Sequence, residues 1–411
     1  MKILISGAGI GGPTLAYWLA RYGFTPTIVE RAPRLRTGGY PVDFWGIGFE
    51  IAEKMGLAPE LREKGYMVRE LRVVNREGRR VSGFPMESFF RAAKGKYVTI
   101  PRGELSRAVF STIQDRIETI FDDSIAHIDQ RPGEVRVTFE SGQERSFDLV
   151  VGADGLHSRV RELAFGPESR WERYLGYKVA AFEVDGYRPR DELTYVMYTE
   201  VGQQVGRFAL RGDRTMFHFI FTDSDPGGAT NEGVEAQKEF LVRRFGNSGW
   251  ECPQILEALR NAGELYLDRV SQIRMDANEG LWTRGRVVLI GDAASCVSLL
   301  AGEGSGLAMA AAYILAGELH RAGGNYASAF ARYQELFAPF VLDKQKGALG
   351  FASAFAPQSR FAIFLRNQIM NLLRVPLIAN LFMARSFADK IAIPAYEQDK
   401  AASGSQPHHV A

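Results

Sequence analysis

The sequence predicts an α/β fold in which a strand-helix-strand unit opens the chain and a separate antiparallel sheet interrupts it. Three observations carry that expectation. Lys2 to Ser6 form a short apolar run, glycines follow, Pro13 to Tyr22 repeats apolar residues at helical spacing, and Thr25 to Glu30 is a second β-type run. From about Trp171 to Thr222 the pattern turns β-rich, with runs at Tyr177 to Val184, Leu193 to Tyr198 and Thr215 to Phe221. At Val287 to Ile290 a buried-strand run restores the α/β character and leads into a long small-residue helix, Gly306 to Leu319.

Between these landmarks the pattern is mixed. Ile47 to Met55 and Leu105 to Ile113 read as helices, Glu134 to Phe139 and Phe147 to Val151 as strands. After Tyr333 the chain is helical and apolar. Phe361 to Ala388 spaces Phe, Ile, Leu and Met at near-helical intervals with Arg and Lys between them. It is read as a C-terminal bridging helix packed on both parts, and a helix lying on a membrane surface is the other reading such a pattern allows. Ala401 to Ala411 is small and polar, a disordered tail by composition. The expected division is a discontinuous first domain over 1–75, 98–170 and 271–345, a second over 76–97 and 171–270, a helical segment over 346–400 and the tail over 401–411.

Composition excludes several classes of function. With 411 residues, 46% apolar and 24% charged, the chain can bury a large core. Its 50 Lys and Arg against 48 Asp and Glu leave +2, so no overall excess of charge advertises nucleic acid or an anionic membrane, and a small-molecule partner is favoured. Cys252 and Cys296 are too few for a disulfide framework or a zinc site, and no metal is expected. Met1 to Gly7 leads straight into a strand without the apolar length or cleavage site of a signal peptide, and no apolar run reaches spanning length. The expectation is a cytoplasmic protein without a membrane partner.

Gly7-Ala8-Gly9-Ile10-Gly11-Gly12 places a G-x-G-x-x-G between the first strand and the first helix. Gly7 permits the tight turn, Gly9 lets the backbone approach a pyrophosphate, and Gly12 allows close helix-strand packing. The helix N-terminus adds free N–H groups and the positive end of a dipole. Glu30 closes the second strand about twenty residues on, where its carboxylate would accept hydrogen bonds from a ribose or stand as a solvated strand-end charge. This Rossmann-like unit predicts dinucleotide binding, with Gly11 and Arg31 beside it, and does not by itself separate FAD from NAD.

Two later motifs bear on that choice. Val150 to Arg161 places Gly152-Ala153-Asp154-Gly155 directly after an apolar strand, which implies a close backbone turn. Leu289-Ile290-Gly291-Asp292-Ala293-Ala294 repeats the arrangement, with Asp292 at a strand end where it could bind a ribityl or ribose hydroxyl. Either Asp could also be an ordinary turn residue.

In this order the three elements resemble the single-component FAD monooxygenases with the aromatic-hydroxylase fold, over nearly the whole chain. Gly38-Gly39-Tyr40-Pro41-Val42-Asp43 and the helix Tyr313 to Leu319 are most similar to the tetracycline-inactivating branch. The resemblance implies an FAD-binding domain, an antiparallel-sheet substrate domain, and NADPH or NADH as a transient reductant, since no second strand-G-x-G-x-x-G-helix unit exists to hold one. Gly7, Gly9, Gly12 and Glu30 would hold the ADP half of FAD, with Asp43 among the cofactor residues. Arg102 would contact the cofactor, unless it is a plain surface salt-bridge residue. Asp154 would serve FAD and the docking reductant, Asp292 the ribityl-pyrophosphate region, and the turn carrying Gly302 and Gly304 the flavin ring.

The chain departs from the family where a His, a Pro pair and an Asn are usual: Ser295, Ser298, Leu299 and Gly306 stand there, and Glu303 replaces a Gln. The implied activity is hydroxylation of an aromatic or polycyclic molecule, possible tetracyclines included, through a flavin hydroperoxide and O2. That chemistry needs a dry, closed site and little acid-base help, so no catalytic side chain is nominated. The altered loop keeps a flavin dehydrogenase or reductase as the alternative. Phe182, Phe208, His218 and Phe219 are candidates for the substrate side, against the competing reading of ordinary sheet core and a satisfied sheet histidine. Cys296 reads as a small buried hydrophobe. A monomer or weak dimer without nucleic acid is expected.

Overall fold

The computed structural model describes residues 1–35, 40–276, 278, 281–380 and 391–396. Gly38, Gly39, the stretch 381–388 of the expected bridging helix and the tail 401–411 lie outside them. Among the described residues the strands form a six-stranded sheet, a seven-stranded sheet and two smaller ones.

In the six-stranded sheet Lys2–Ser6 runs parallel between Thr25–Glu30 and Leu149–Gly152, with Thr119–Phe121 and Val287–Leu289 parallel beyond them and Thr283–Arg284 antiparallel at one edge. The inner strands are apolar and buried on both faces, as parallel strands between helices must be. Helix Gly11–Arg21 packs on helix Gly304–Arg321, whose alanines and glycines let it pass close to its neighbours. Parallel order brings the C-terminal ends of these strands to one edge, and ligands of such sheets bind there. Gly7, Asp154 and Asp292 follow strands that end at that edge, and Glu30 is the last residue of another.

The seven-stranded sheet runs Tyr266–Ile273, Glu172–Asp185, Arg214–Thr222, Gln203–Ala209, Thr194–Glu200, Glu70–Val74, Arg80–Pro85. It departs from the expected antiparallel sheet in one pair: Glu70–Val74, assigned from sequence to the first domain, joins here in parallel with Thr194–Glu200. Too few contiguous β-type residues announced that strand. Alternation divides the sheet into two faces. One packs Phe182, Phe217, Phe219 and Phe221 into a core with Leu241, Phe245, Ile255 and Leu259 of helices Val234–Phe245 and Cys252–Asn261. The other turns Tyr195, Phe208, Met216 and His218 the opposite way, toward Tyr66, Tyr97 and Trp45. Pro41–Trp45 pairs antiparallel with Tyr97–Pro101 between the two large sheets.

Helix Tyr326–Phe355 packs on helix Gly304–Arg321 and on the turn Leu299–Ala301. The next helix, Arg360–Leu372, lies on Arg80–Pro85 and Thr194–Glu200, on the sheet side, and after a short turn the chain is helical again over 376–380. No helix among the described residues is long and apolar enough to cross a membrane.

Candidate active site

Of the three glycines of the first turn, two are required by the protein's own backbone and the third is not. Gly7 has φ +105°, and a Cβ there would stand 2.6 Å from the Ala153 carbonyl oxygen. A Cβ on Gly12 would fall 2.0 Å from the Gly7 carbonyl oxygen. At Gly9 a Cβ meets nothing nearer than an Arg102 guanidinium nitrogen at 4.0 Å, so this position opens onto free space. No side chain caps the helix that begins at Gly11, and its first turn carries no acid. Glu30 accepts hydrogen bonds from the backbone N–H of Ala8 (2.8 Å) and of Ala32 (2.9 Å), which fixes its carboxylate at the mouth of the turn. Arg31 follows it and is exposed.

Asp154 is tied from three sides. It accepts from the Ser158 hydroxyl (2.5 Å), the Val160 N–H (3.0 Å) and the Ser6 hydroxyl (3.3 Å), which binds the first strand to the start of helix Arg159–Phe165. Burial pushes its carboxyl above the usual range, and the Ser158 bond opposes that. Arg161, fully buried, donates to the Ala293 carbonyl (3.1 Å), the Leu156 carbonyl (2.6 Å) and Glu168 (2.7 Å). The two Gly-Asp motifs are thereby linked by one side chain. Burial also raises the Asp292 carboxyl, with the Arg102 guanidinium opposing, so these two residues from distant segments share one cleft. Cys296 donates to the Ser271 carbonyl (3.4 Å), and burial pushes its thiol well above its ordinary value, which makes it inert.

At the other end of the cleft, Asp43 accepts from Tyr97 (2.5 Å) and Thr99 (2.7 Å). It lines a small cavity with Trp45, Gly302, Glu303, Phe340 and Lys344. Gly302 is left-handed at φ +69° and turns the chain into helix Gly304–Arg321. A Cβ on Gly304 would stand 3.5 Å from the Asp292 carboxylate. The Lys344 ammonium binds Glu303 at 2.8 Å, so the unusual acid in this loop is neutralised. Gly306, where Asn is usual, crosses Gly48: a Cβ on Gly48 would fall 2.4 Å from the Gly306 Cα.

Among the substrate-side candidates, Phe208 and His218 lie on the sheet face turned toward this cleft, while Phe182 and Phe219 do not. Those two stack with each other, and Phe219 packs on Phe245, as core on the far face. Alternation along antiparallel strands settles the division, because residues of one strand separated by an odd number point oppositely. His218 is buried, and its Nδ1 makes no hydrogen bond. Burial alone lowers its pKa to about 4. Its ring lies beside Tyr195, with centroids 5.3 Å apart.

A sequence profile described as "FAD binding domain" matches residues 1–329. A flavin-dependent monooxygenase of Legionella longbeachae is 32% identical over 402 residues, covering 97% of this chain and 98% of its own. The chain belongs to the FAD-dependent monooxygenase family. This monooxygenase is also similar to an uncharacterized protein of Mycobacterium tuberculosis, 38% identical across 82% of this chain and 90% of that one. Among solved structures, the tetracycline destructase Tet(51) superposes with a TM-score of 0.81 at 31% identity, over 96% of this chain and 99% of its own. FAD is the cofactor of the family and of this enzyme.

Sequence reasoning missed Lys344, Tyr195 and the linking role of Arg161. A lysine and a tyrosine carry no motif, and their placement depends on which helix or sheet face meets the cleft. Arg161 stood within the second motif and had a signal; its span to Ala293 had none.

Proposed function

We propose that this monooxygenase consumes NADPH or NADH and hydroxylates an aromatic or polycyclic small molecule, with tetracycline-like compounds a candidate class. The observation that carries this reading is the cleft-facing side of the seven-stranded sheet, where Tyr195, Phe208, Met216 and His218 form an apolar, aromatic surface with few polar groups. The 31% identity to Tet(51) supports the candidate class.

FAD fits the cradle this chain builds. The open space at Gly9 and the uncapped helix start at Gly11 would take the pyrophosphate, with Gly12 supplying the close packing that places them. Glu30 keeps lone pairs for a ribose hydroxyl beyond the two backbone bonds it accepts. Arg102 and Asp292 would hold the middle of the cofactor, and Gly302 and Gly304 would border its ring beside Asp43. When bound, FAD supplies electrons from the nicotinamide donor to dioxygen.

The side chains around that position bind, orient and exclude water. Tyr97 and Thr99 fix the Asp43 carboxylate by donating to it, so it faces the ring region in one orientation. His218 stays neutral at physiological pH and can exchange a hydrogen bond with a substrate hydroxyl or carbonyl without bringing charge into the cleft. The surrounding apolar side chains keep the region dry.

The test is NADPH oxidation and oxygen uptake by the FAD-loaded enzyme, with and without a panel of tetracyclines and simpler phenols, with hydrogen peroxide and product mass followed together. A gain of one oxygen with little peroxide supports the reading. Peroxide alone across the panel moves the substrate outside this class.

A further inference from the structure

Helix Arg360–Leu372 is built inside out. Toward the sheet it turns Arg366, whose guanidinium donates to Thr199 (3.2 Å) and to the Ala354 carbonyl (3.3 Å). The neighbouring Asn367 carbonyl accepts from the Ser82 hydroxyl (2.9 Å). Toward solvent it turns Phe361, Phe364, Leu365, Ile369 and Leu372, which are 72%, 58%, 49%, 47% and 53% exposed. Spacings of three and four residues set these on one continuous stripe, and Leu377, 79% exposed, stands beyond its end. No residue of the helix is buried. An ordinary surface helix puts its apolar stripe against the core and its polar side in water.

Charge is concentrated in the same segment. The chain as a whole is balanced to +2, yet between Asp343 and Asp389 the sequence carries no acid, so no carboxylate of this segment offsets its arginines. Arg360 and Arg374 are exposed and flank the stripe at its two ends. A second copy of this surface would set like charge against like charge across a two-fold contact. An anionic bilayer satisfies both features together, taking the apolar stripe into the headgroup boundary and pairing the arginines with lipid phosphates.

We infer that helix Arg360–Leu372 docks this enzyme, parallel to the surface, on membranes rich in anionic lipid. On its inner side Met370 and Leu373 pack with the cluster that contains Phe208 and Tyr195, so docking would set the cleft-facing aromatic surface one helix thickness from the lipid.

The experiment is flotation of the full-length, FAD-loaded protein with vesicles of equimolar phosphatidylglycerol and phosphatidylcholine, or of phosphatidylcholine alone, at low and high salt. Binding is expected on the anionic vesicles and should fall steeply with salt. The exposed double variant Leu365→Glu/Ile369→Glu should bind at least about tenfold more weakly with an unchanged melting temperature. Arg360→Ala/Arg374→Ala should weaken binding to anionic vesicles and leave the chain folded. Absence of binding to anionic vesicles overturns the inference, and so does binding that both variants retain. A concentration-dependent dimer by light scattering that Leu365→Glu/Ile369→Glu dissociates, without vesicle binding, also overturns it and assigns the stripe to a second copy.

Discussion

The imidazole of His218 lies directly over Gly206: a Cβ on that glycine would fall 1.7 Å from His218 Cε1. The two residues are cross-strand partners in neighbouring antiparallel strands, and the missing side chain on one makes room for the ring on the other. Gly206→Ala therefore has to displace the ring. Overpacking of this kind costs about 1–3 kcal/mol. The change lies on the sheet face proposed for the substrate, so KM for the substrate should rise by about tenfold while flavin content stays that of the parent. Steady-state kinetics beside the flavin absorbance of the purified protein reads both, and an unchanged KM would remove His218 from the substrate surface.

His218 also makes stability depend on pH. Its pKa is about 4 in the folded protein against 6.5 ordinarily. The unfolded chain thus takes up a proton that the native state refuses, and stability is complete above about pH 6.5 and declines as pH falls toward about 4. The full loss is roughly 3 kcal/mol for this one group. Urea unfolding at pH 7 and at pH 4.5 should show a smaller loss for His218→Gln than for the parent, and identical losses would refute the assignment.

Gly9 and Gly12 belong to one motif and predict different failures. Alanine at Gly12 collides with the Gly7 carbonyl oxygen, so Gly12→Ala should lower the stability of the flavin-free protein and its flavin content together. Alanine at Gly9 meets no protein atom closer than Arg102 at 4.0 Å, so Gly9→Ala should melt like the parent without flavin and bind FAD more weakly, by about tenfold or more. Melting curves of the flavin-stripped proteins and FAD titrations followed by fluorescence separate the two. Equal destabilisation of both variants would mean that Gly9 packs against protein and faces no ligand.

The contrast between those glycines shows what the sequence could and could not reveal. Gly7, Gly12, Glu30, Asp154 and Asp292 were legible because each sits at a fixed offset from a strand end, and a parallel sheet gathers strand ends at one edge. The division of Phe182 and Phe219 from Phe208 and His218 was implicit in the period of two, but which face meets the cleft depends on helices Val234–Phe245 and Cys252–Asn261 covering the other. Glu70–Val74 pairs antiparallel with Arg80–Pro85 across a short turn, a local pairing that leaves a signal, but its parallel partner Thr194–Glu200 lies 120 residues or so away, and a pairing at that distance leaves none. The outward apolar stripe of Arg360–Leu372 reads in sequence like any core helix, since periodicity gives the stripe and not its direction.

Lys344 and Glu303 carry the last prediction. Their charges meet at 2.8 Å, with side chains 20% and 19% exposed, and the ammonium also lies 5.6 Å from the centre of the Trp45 ring and 5.3 Å from that of Phe340. The pair ties the turn Leu299–Ala301 and the loop after it to helix Tyr326–Phe355. Removing the cation takes the Lys344 ammonium away from a largely buried carboxylate, so Lys344→Met should destabilise the protein by about 1–3 kcal/mol. Glu303→Gln should cost less, because an amide oxygen still accepts from the ammonium. In the double variant Glu303→Gln/Lys344→Met both charges are gone, and part of the loss in Lys344→Met should return, which a double-mutant cycle of melting temperatures measures directly. Additive losses would show that the two side chains act independently. Because the loop borders the proposed ring position, Lys344→Met should also change the fluorescence of bound flavin, whereas a purely peripheral ion pair would leave that signal where it was.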